Sequence, residues 1–278
     1  MQFCGLNGQL PPPLRHTHSR ETGRIVAWCI DPCKKLEKLI ELVRKLELKP
    51  SFTVITGDIS HTGTIKSYNL AKRYIDEIRR LAGPIFHTMG THDNRKNFSN
   101  ILLEKPSPQH EPPCYYSRTI EGLHVIAMDS HTPGLKMGGF NEEQLDWLTV
   151  ELREHRAEPA IIAFHEPIFF FGELGMFNKV SASRFKEIIS EGNVLAVLSG
   201  HIHSPLFTVV DGVHYVQAGS PLWENSFNET GTVTHDSSSF NFLSYNEDPD
   251  GRPIDLPNRL LVKPVSFTGG TQLIDRTP

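Results

Sequence analysis

Long apolar runs are missing from this chain: no stretch approaches the roughly 18 residues of a membrane-spanning helix, so such a helix is not expected. Cysteine is scarce, with only Cys4, Cys29, Cys33 and Cys114. Cys29 and Cys33 enclose three residues, a spacing that suits neither a redox CxxC nor a zinc knuckle. An excess of either charge is also lacking. Lys and Arg total 28 against 32 for Asp and Glu, a net −4, which argues against a protein built to grip nucleic acid or an anionic membrane. The first residues, MQFCGLNGQLPPPLRHTH, have neither a basic start nor an apolar core, so no secretory signal is expected and a reduced, cytoplasmic setting is the default. No internal repeat or low-complexity block appears. What is present suffices for a core: 38 % hydrophobic residues, with 16 Phe and 3 Trp, in a chain of 278.

The hydrophobic period alternates along the chain. Asp31-Pro32 is a capping side chain followed by Pro at the first helical position, and Leu36, Leu39, Ile40, Val43 and Leu46 then recur at helical spacing. A helix over roughly 33–47 is predicted. Residues 52–56 (FTVIT) form a β-branched run ending at Gly57-Asp58, and a second helix over roughly 64–81 stops at Gly83-Pro84. Strands are predicted at 85–89, 123–128, 160–164 and 194–198, with helices at 142–152 and 181–190 and a hairpin turning at Asp211-Gly212. Strands alternating with helices predict an α/β domain with helices outside sheets. Three parts are expected: an irregular segment 1–13, a catalytic domain 14–225, and an extension or peripheral wrap 226–278.

Fourteen histidines stand out, because several end an apolar run. Four separate strands terminate in polar clusters: Asp58, Thr91-His92-Asp93, His165 and His201-Ile202-His203. Each alone has a bland reading. Gly-Asp after a strand is ordinarily a turn, and a solitary His165 is ordinarily a hydrogen-bonded core histidine. Together, at the carboxyl ends of strands where α/β sheets open a ligand crevice, they point to a metal site for zinc, iron or manganese. His61 is read as a loop residue, with contact to metal or substrate as the alternative, and Glu166 as a group supporting the ligands rather than one of them.

The sequence TGD at 56–58, GTHD at 90–93, FHEP at 164–167 and SGHIH at 199–203 resembles the calcineurin-like metallophosphoesterase superfamily. That superfamily's motifs run DxH, GD, GNH[DE], H and GHxH. AMDS at 127–130, EQLDWL at 143–148 and AGSP at 218–221 bring it nearer the bacterial cyclic-nucleotide and glycerophosphodiester phosphodiesterases. The resemblance spans roughly 14–222. It implies two facing mixed β-sheets flanked by helices, with one or two divalent metals (Fe, Mn or Zn) at their end. Asp58 would bridge the metals, His18 and His203 would serve one, and His165 and His201 the other. A metal-bound hydroxide would then attack the phosphorus of a small phosphodiester. His92 would donate the leaving-group proton or stabilise the transition state, and Asp93 would orient His92.

Three departures qualify this. The first motif here is His16-Thr17-His18, so a neutral imidazole, His16, replaces a carboxylate as candidate ligand. Thr91 replaces an Asn that lends a carbonyl oxygen to the second metal, leaving a weaker hydroxyl as metal or substrate contact. The lead-in GQLPPPLR contains three prolines, which a central strand does not accommodate. Two rivals therefore stay open: a one-metal member with redirected, non-phosphatase chemistry, and an inactive ligand-binding member. Oligomeric state is open, a homo-oligomer included.

Overall fold

The computed structural model describes residues 14–18, 25–46, 49–105, 112–132, 137–170, 173–174, 176–228, 231–245, 260–268 and 271–275, with some strands described by backbone alone. The central element is a six-stranded mixed sheet. Four parallel strands, β6 (Leu123–Ala127), β7 (Ala160–Ala163), β10 (Val194–Ser199) and β12 (Val213–Gln217), are bordered by antiparallel β5 (Tyr116–Ile120) and β11 (Leu206–Val210), in the order β11-β12-β10-β7-β6-β5. β7 shows why its run is apolar throughout. Ile161 and Ala163 enter one buried cluster while Ala160 and Ile162 enter another, so both faces are covered. The hairpin from β11 to β12 turns at Asp211 and Gly212, both at positive φ (50° and 80°), as a tight turn matched to strand twist demands.

On one face of this sheet lie α4 (Glu142–Glu154) and α5 (Lys179–Ser190), burying Leu145, Leu148, Ala182 and Phe185 around Phe140 and Phe164. α4 starts with a capping box, Asn141 and Gln144 each satisfying the other's backbone. The opposite face meets Phe52 and Val54, and with them the parallel pair β3 (Thr53–Thr56) and β4 (Ile85–Thr88). α1 (Pro32–Lys45) and α2 (Ile65–Ala82) bury Leu36, Leu39, Ala71, Ile75 and Ile78 in a further cluster with Ile55. Asp31 caps α1 at the backbone nitrogens of Cys33 and Lys34 (3.0 and 3.2 Å). The layers run helix, sheet, sheet, helix, the expected fold class. Between β4 and β5 lies the short helix α3 (Arg95–Ile101), and after β7 the two-residue strands β8 (Phe169–Phe170) and β9 (Glu173–Leu174) pair.

Ten of the expected elements fall within a few residues of their predicted bounds, and the prolines at 11–13 lie outside the described residues. β1 (Leu14–His18) follows them and pairs antiparallel with β2 (Ile25–Ile30), which also pairs with β17 (Thr271–Asp275). Beyond residue 225 there is regular structure as well. β13 (Glu224–Asn228) pairs with β14 (Gly231–His235), and β15 (Ser237–Tyr245) with β16 (Leu260–Thr268). Phe240 and Phe267 from the latter pair join the cluster of α1 and α2. Fully buried Lys35 of α1 also reaches Asp236 (2.6 Å) and Ser238 (3.1 Å).

Candidate metal centre

β3 is buried toward its end and then turns sharply. Gly57 sits at φ 87°, where a Cβ would lie 2.7 Å from His165 Nδ1 and 2.8 Å from the Gly90 nitrogen, so only glycine fits. Asp58 follows, buried and left-handed at φ 52°. Its Oδ1 accepts a hydrogen bond from the His92 backbone nitrogen (2.9 Å) and lies 3.4 Å from Thr91 Oγ1. Its Oδ2 lies 3.2 Å from His165 Nε2. At Gly90 the backbone passes so close to Asp58 that any Cβ would strike the Asp58 nitrogen and carboxylate.

His165 follows β7 with no exposed surface. Its Nδ1 donates to the Thr56 carbonyl (2.6 Å), turning Nε2 toward both Asp58 Oδ2 and His201 Nδ1, the latter 3.0 Å away. Ser130 Oγ accepts from the backbone nitrogens of His165 and Glu166 (3.1 and 3.3 Å) and donates to the Glu166 carboxylate. His201 and His203 lie beyond β10, both left-handed, at φ 72° and 59°. His203 is buried, packs against Trp223 with ring centroids 4.5 Å apart and planes tilted by 38°, and keeps a buried Nδ1 with no hydrogen-bond partner. One ligand atom each from Asp58, His165 and His201 lie within 4.8 Å of one another.

Charge in this group is strongly coupled. Burial favours the neutral form of Asp58, yet His165 and His92 hold its carboxyl well below the usual range. Burial opposes the imidazolium of His165, but Asp58 and then Glu166 outweigh it and raise the group to about 9. Burial and the neighbouring His165 push His201 down to about 3, and burial pushes His203 to about 4. Neutral imidazoles beside an ionised carboxylate are the state in which these side chains ligate a metal. An orphaned imidazole nitrogen, and ring nitrogens of His165 and His201 gathered with an Asp58 oxygen within 4.8 Å of one another, fit a borderline divalent ion.

The other expected site residues are distributed differently. His92 is exposed, its ring stacked on exposed His61 at 4.5 Å and 28°. Asp93 does not orient the His92 ring, which corrects the expectation for it. Its Oδ2 accepts from Ile59 N (3.1 Å) and Gly90 N (3.0 Å), and its Oδ1 from Ser60 N (3.0 Å) and Tyr68 Oη (2.7 Å). With four donors already bound, it clamps the loop after β3 to the loop after β4. Burial and the Asp58 charge raise Asp93 to about 6. His16 and His18 fall on β1, whose side chains lie outside the described residues.

Several supports escaped the motif reading. Asn225 donates its backbone nitrogen to the His203 carbonyl (2.9 Å) and its Nδ2 to the Ile202 carbonyl (3.1 Å), which fixes the loop carrying both histidines. Trp223 and Asn225 stand just past the AGSP motif, and no ligating or catalytic residue type marks them. Tyr68, read only as part of a helix, carries the hydroxyl that completes the Asp93 clamp.

The model for calcineurin-like phosphoesterases matches residues 17–205. The chain belongs to that family. A probable cyclic nucleotide phosphodiesterase of Rhodococcus erythropolis is 26 % identical over 218 residues, covering 77 % of this chain and 71 % of that protein. A probable glycerophosphodiester phosphodiesterase of Arcobacter nitrofigilis is 28 % identical over 211 residues, covering 74 % and 76 %. Among solved structures, a dimetal phosphatase from Danio rerio superposes with a TM-score of 0.55 at 14 % identity, over 75 % of this chain and 85 % of that one. That likeness shows the shared fold. The family's strand-end motifs are the segments that meet around Asp58 here. No helix among the described residues is long and apolar enough to cross a membrane.

Proposed function

We propose that this chain hydrolyses small phosphodiesters using divalent metal held by Asp58, His165, His201 and His203, with His18 and His16 of β1 as further ligands. The observation that carries this is the convergence of Asp58, His165 and His201, delivered by three different strand ends onto one point. The relatives named as phosphodiesterases support the diester as substrate class. Bound ions of zinc, iron or manganese supply Lewis acidity, activating water and offsetting phosphoryl charge. The protein's own groups do the rest. Thr56 and Ser130 fix the His165 ring and backbone, and Asp93 holds the two loops in register. His92, exposed and bound to Asp58 through its backbone nitrogen, would hand a proton to the leaving oxygen, and its ring is stacked on His61. Low cysteine usage supports a reducing, cytoplasmic setting.

Thr91 favours a refinement concerning metal number. Its hydroxyl turns toward Asp58 at 3.4 Å, and a neutral hydroxyl is a poor donor beside a carbonyl or carboxylate. Asp58 is then the sole carboxylate of the proposed ligand set, and one negative charge opposes the repulsion of two dications weakly. One tight metal and one loose metal are the expected occupancy.

The test is metal analysis of purified protein beside hydrolysis of bis(p-nitrophenyl) phosphate and p-nitrophenyl phosphate. Metal-dependent cleavage favouring the diester is expected, with metal and activity lost together in Asp58→Asn. A metal-loaded chain that cleaves neither probe nor a cyclic nucleotide would sink the proposal and leave the ligand-binding reading.

A further inference from the structure

A second cluster of ligating side chains lies at the opposite end of the six-stranded sheet. The candidate metal centre gathers where β7 and β10 end, whereas His124 is the second residue of β6, near its start. Glu151 and His155 face it from the last turn and C-cap of α4, four residues apart and therefore on one face of the helix. His124 Nε2 lies 3.0 Å from Glu151 Oε1, and His155 Nε2 lies 3.7 Å from the same oxygen. We propose that His124, Glu151 and His155 form a zinc site, with water as the fourth ligand, that ties the end of α4 to β6.

Hydrogen bonding around the cluster fixes which atoms carry lone pairs. Thr119, the cross-strand partner of His124, places its hydroxyl 2.6 Å from Glu158 Oε2 and donates its only proton there. Toward His124 Nδ1, 3.1 Å away, Thr119 Oγ1 can then only accept. His124 therefore carries its proton on Nδ1, and Nε2 presents a bare lone pair. That atom is buried in a residue 1 % exposed and makes no hydrogen bond, although a carboxylate oxygen stands 3.0 Å off. Two facing lone pairs at this distance repel unless a cation stands between them.

A proton can bridge only two of the three donor atoms that meet here. A dication held by three atoms is the better match. Donor atoms on a tetrahedral zinc with bonds of about 2.0–2.1 Å lie roughly 3.3 Å from one another. Here the separations from Glu151 Oε1 are 3.0 and 3.7 Å, and all three ligand atoms lie within 4.8 Å. Two imidazoles and one carboxylate form a ligand set zinc commonly takes.

The outer ring of contacts fits the same purpose. Glu158 lies 3.3 Å from His155 Nδ1 and reaches His124 Nδ1 through Thr119, so one carboxylate steers both rings from behind. The Glu158 backbone nitrogen bonds the His155 carbonyl (2.9 Å), fixing that turn, and Ser117 Oγ donates to Glu151 Oε1. The two rings are stacked, 3.9 Å apart and 10° from parallel. Ligation requires one to tilt, and half-exposed His155 at the helix end has the freedom that buried His124 lacks.

Zinc binding by the full chain tests this, measured by equilibrium dialysis at micromolar free zinc, with cobalt absorption as a spectroscopic second probe. Chains carrying Asp58→Asn with His201→Ala, to weaken the other centre, should retain one zinc each. Adding Glu151→Gln or His155→Asn should remove that ion, and the tetrahedral cobalt bands with it, while helical content stays unchanged. The single variants Glu151→Gln and His155→Asn should bind one zinc fewer than the unmodified protein. Equal zinc in these variants and their parents would overturn the proposal, as would absence of zinc from the Asp58→Asn, His201→Ala chain. Diester hydrolysis by Glu151→Gln, followed separately, reports only on the catalytic reading.

Discussion

Removal of a single oxygen, in Tyr68→Phe, isolates the clamp that joins the loop carrying Asp58 to the loop carrying His92. The Tyr68 hydroxyl is buried, donates to Asp93 Oδ1 at 2.7 Å and accepts from the Asn94 nitrogen at 3.0 Å. The first bond ends on a carboxylate, worth about 1.5–3 kcal/mol, and the second is a neutral bond worth about 0.5–1.5 kcal/mol, so the variant should lose roughly 2–4 kcal/mol. Against a total of about 5–15 kcal/mol for a domain this is large. The loss should depend on pH. Because the folded value of Asp93 is raised to about 6, its protonated form favours the fold, and that contribution fades as pH rises through this value. Tyr68 is a donor that eases the ionised form. Without it the Asp93 carboxyl rises further, and the variant's deficit should be greater above pH 6 than below it. Urea unfolding on both sides of that pH, with the slope m checked for constancy, measures both effects. A pH-independent loss under about 0.5 kcal/mol, below the usual worth of even one neutral bond, would refute the assignment of Asp93 as a clamp.

Metal uptake should be coupled to proton release. With no cation bound, His165 is protonated below about 9, so loading at neutral pH should expel close to one proton and affinity should rise with pH toward that value. Calorimetry in buffers of differing ionisation enthalpy counts the protons, and the count should fall in Asp58→Asn. The same raised value means that, in the metal-free chain, His165 stabilises the fold fully below its unfolded value and loses that contribution as pH rises through about 9. Asn225→Ala should cost roughly 1–3 kcal/mol through its lost bonds to the Ile202 carbonyl and from Thr234 Oγ1 (3.1 and 2.9 Å), and should weaken metal binding. Chemical denaturation paired with metal titration checks this, and unchanged affinity would detach Asn225 from the site.

What could be read from the sequence follows from how each element is covered. β3, β4, β7 and β10 announce themselves because both faces or nearly so are buried, and the apolar run then stops at a polar turn. β5 stays illegible because it is an edge strand whose Ser117, Arg118 and Thr119 face outward or toward side-chain partners, erasing the apolar signal. The ladder of β15 and β16 hides for a related reason. Of its buried residues only Phe240, Leu260 and Phe267 are apolar, the others being Ser238 and Ser239. Asp93 shows the limit of motif reading. Its place beside His92 suggests a partnership, but chain direction after Gly90 sends its carboxylate down to Ile59, Ser60 and Tyr68 instead. No local spacing marks the His124 cluster, because its members lie on β6 and α4 with 26 intervening positions before Glu151.

Asp58, His201 and His203 all sit in the left-handed region, a conformation costing about 1–3 kcal/mol for residues other than glycine. Such positions persist only where the surroundings over-determine them, and each here is held from outside. His92 N anchors the Asp58 carboxylate, Thr56 and Ser130 fix His165, and Asn225 spans the Ile202 and His203 carbonyls. These anchors belong to loops far apart in sequence, so strain at one residue is carried by contacts made at another. The donor atoms of Asp58, His165 and His201 consequently converge before any cation arrives. On the proposed reading, metal binding would exchange the His165 proton for a cation with little rearrangement of the backbone, which would keep the ordering cost out of the affinity. It follows that variants loosening the anchors should lower metal affinity even though they leave every ligand in place.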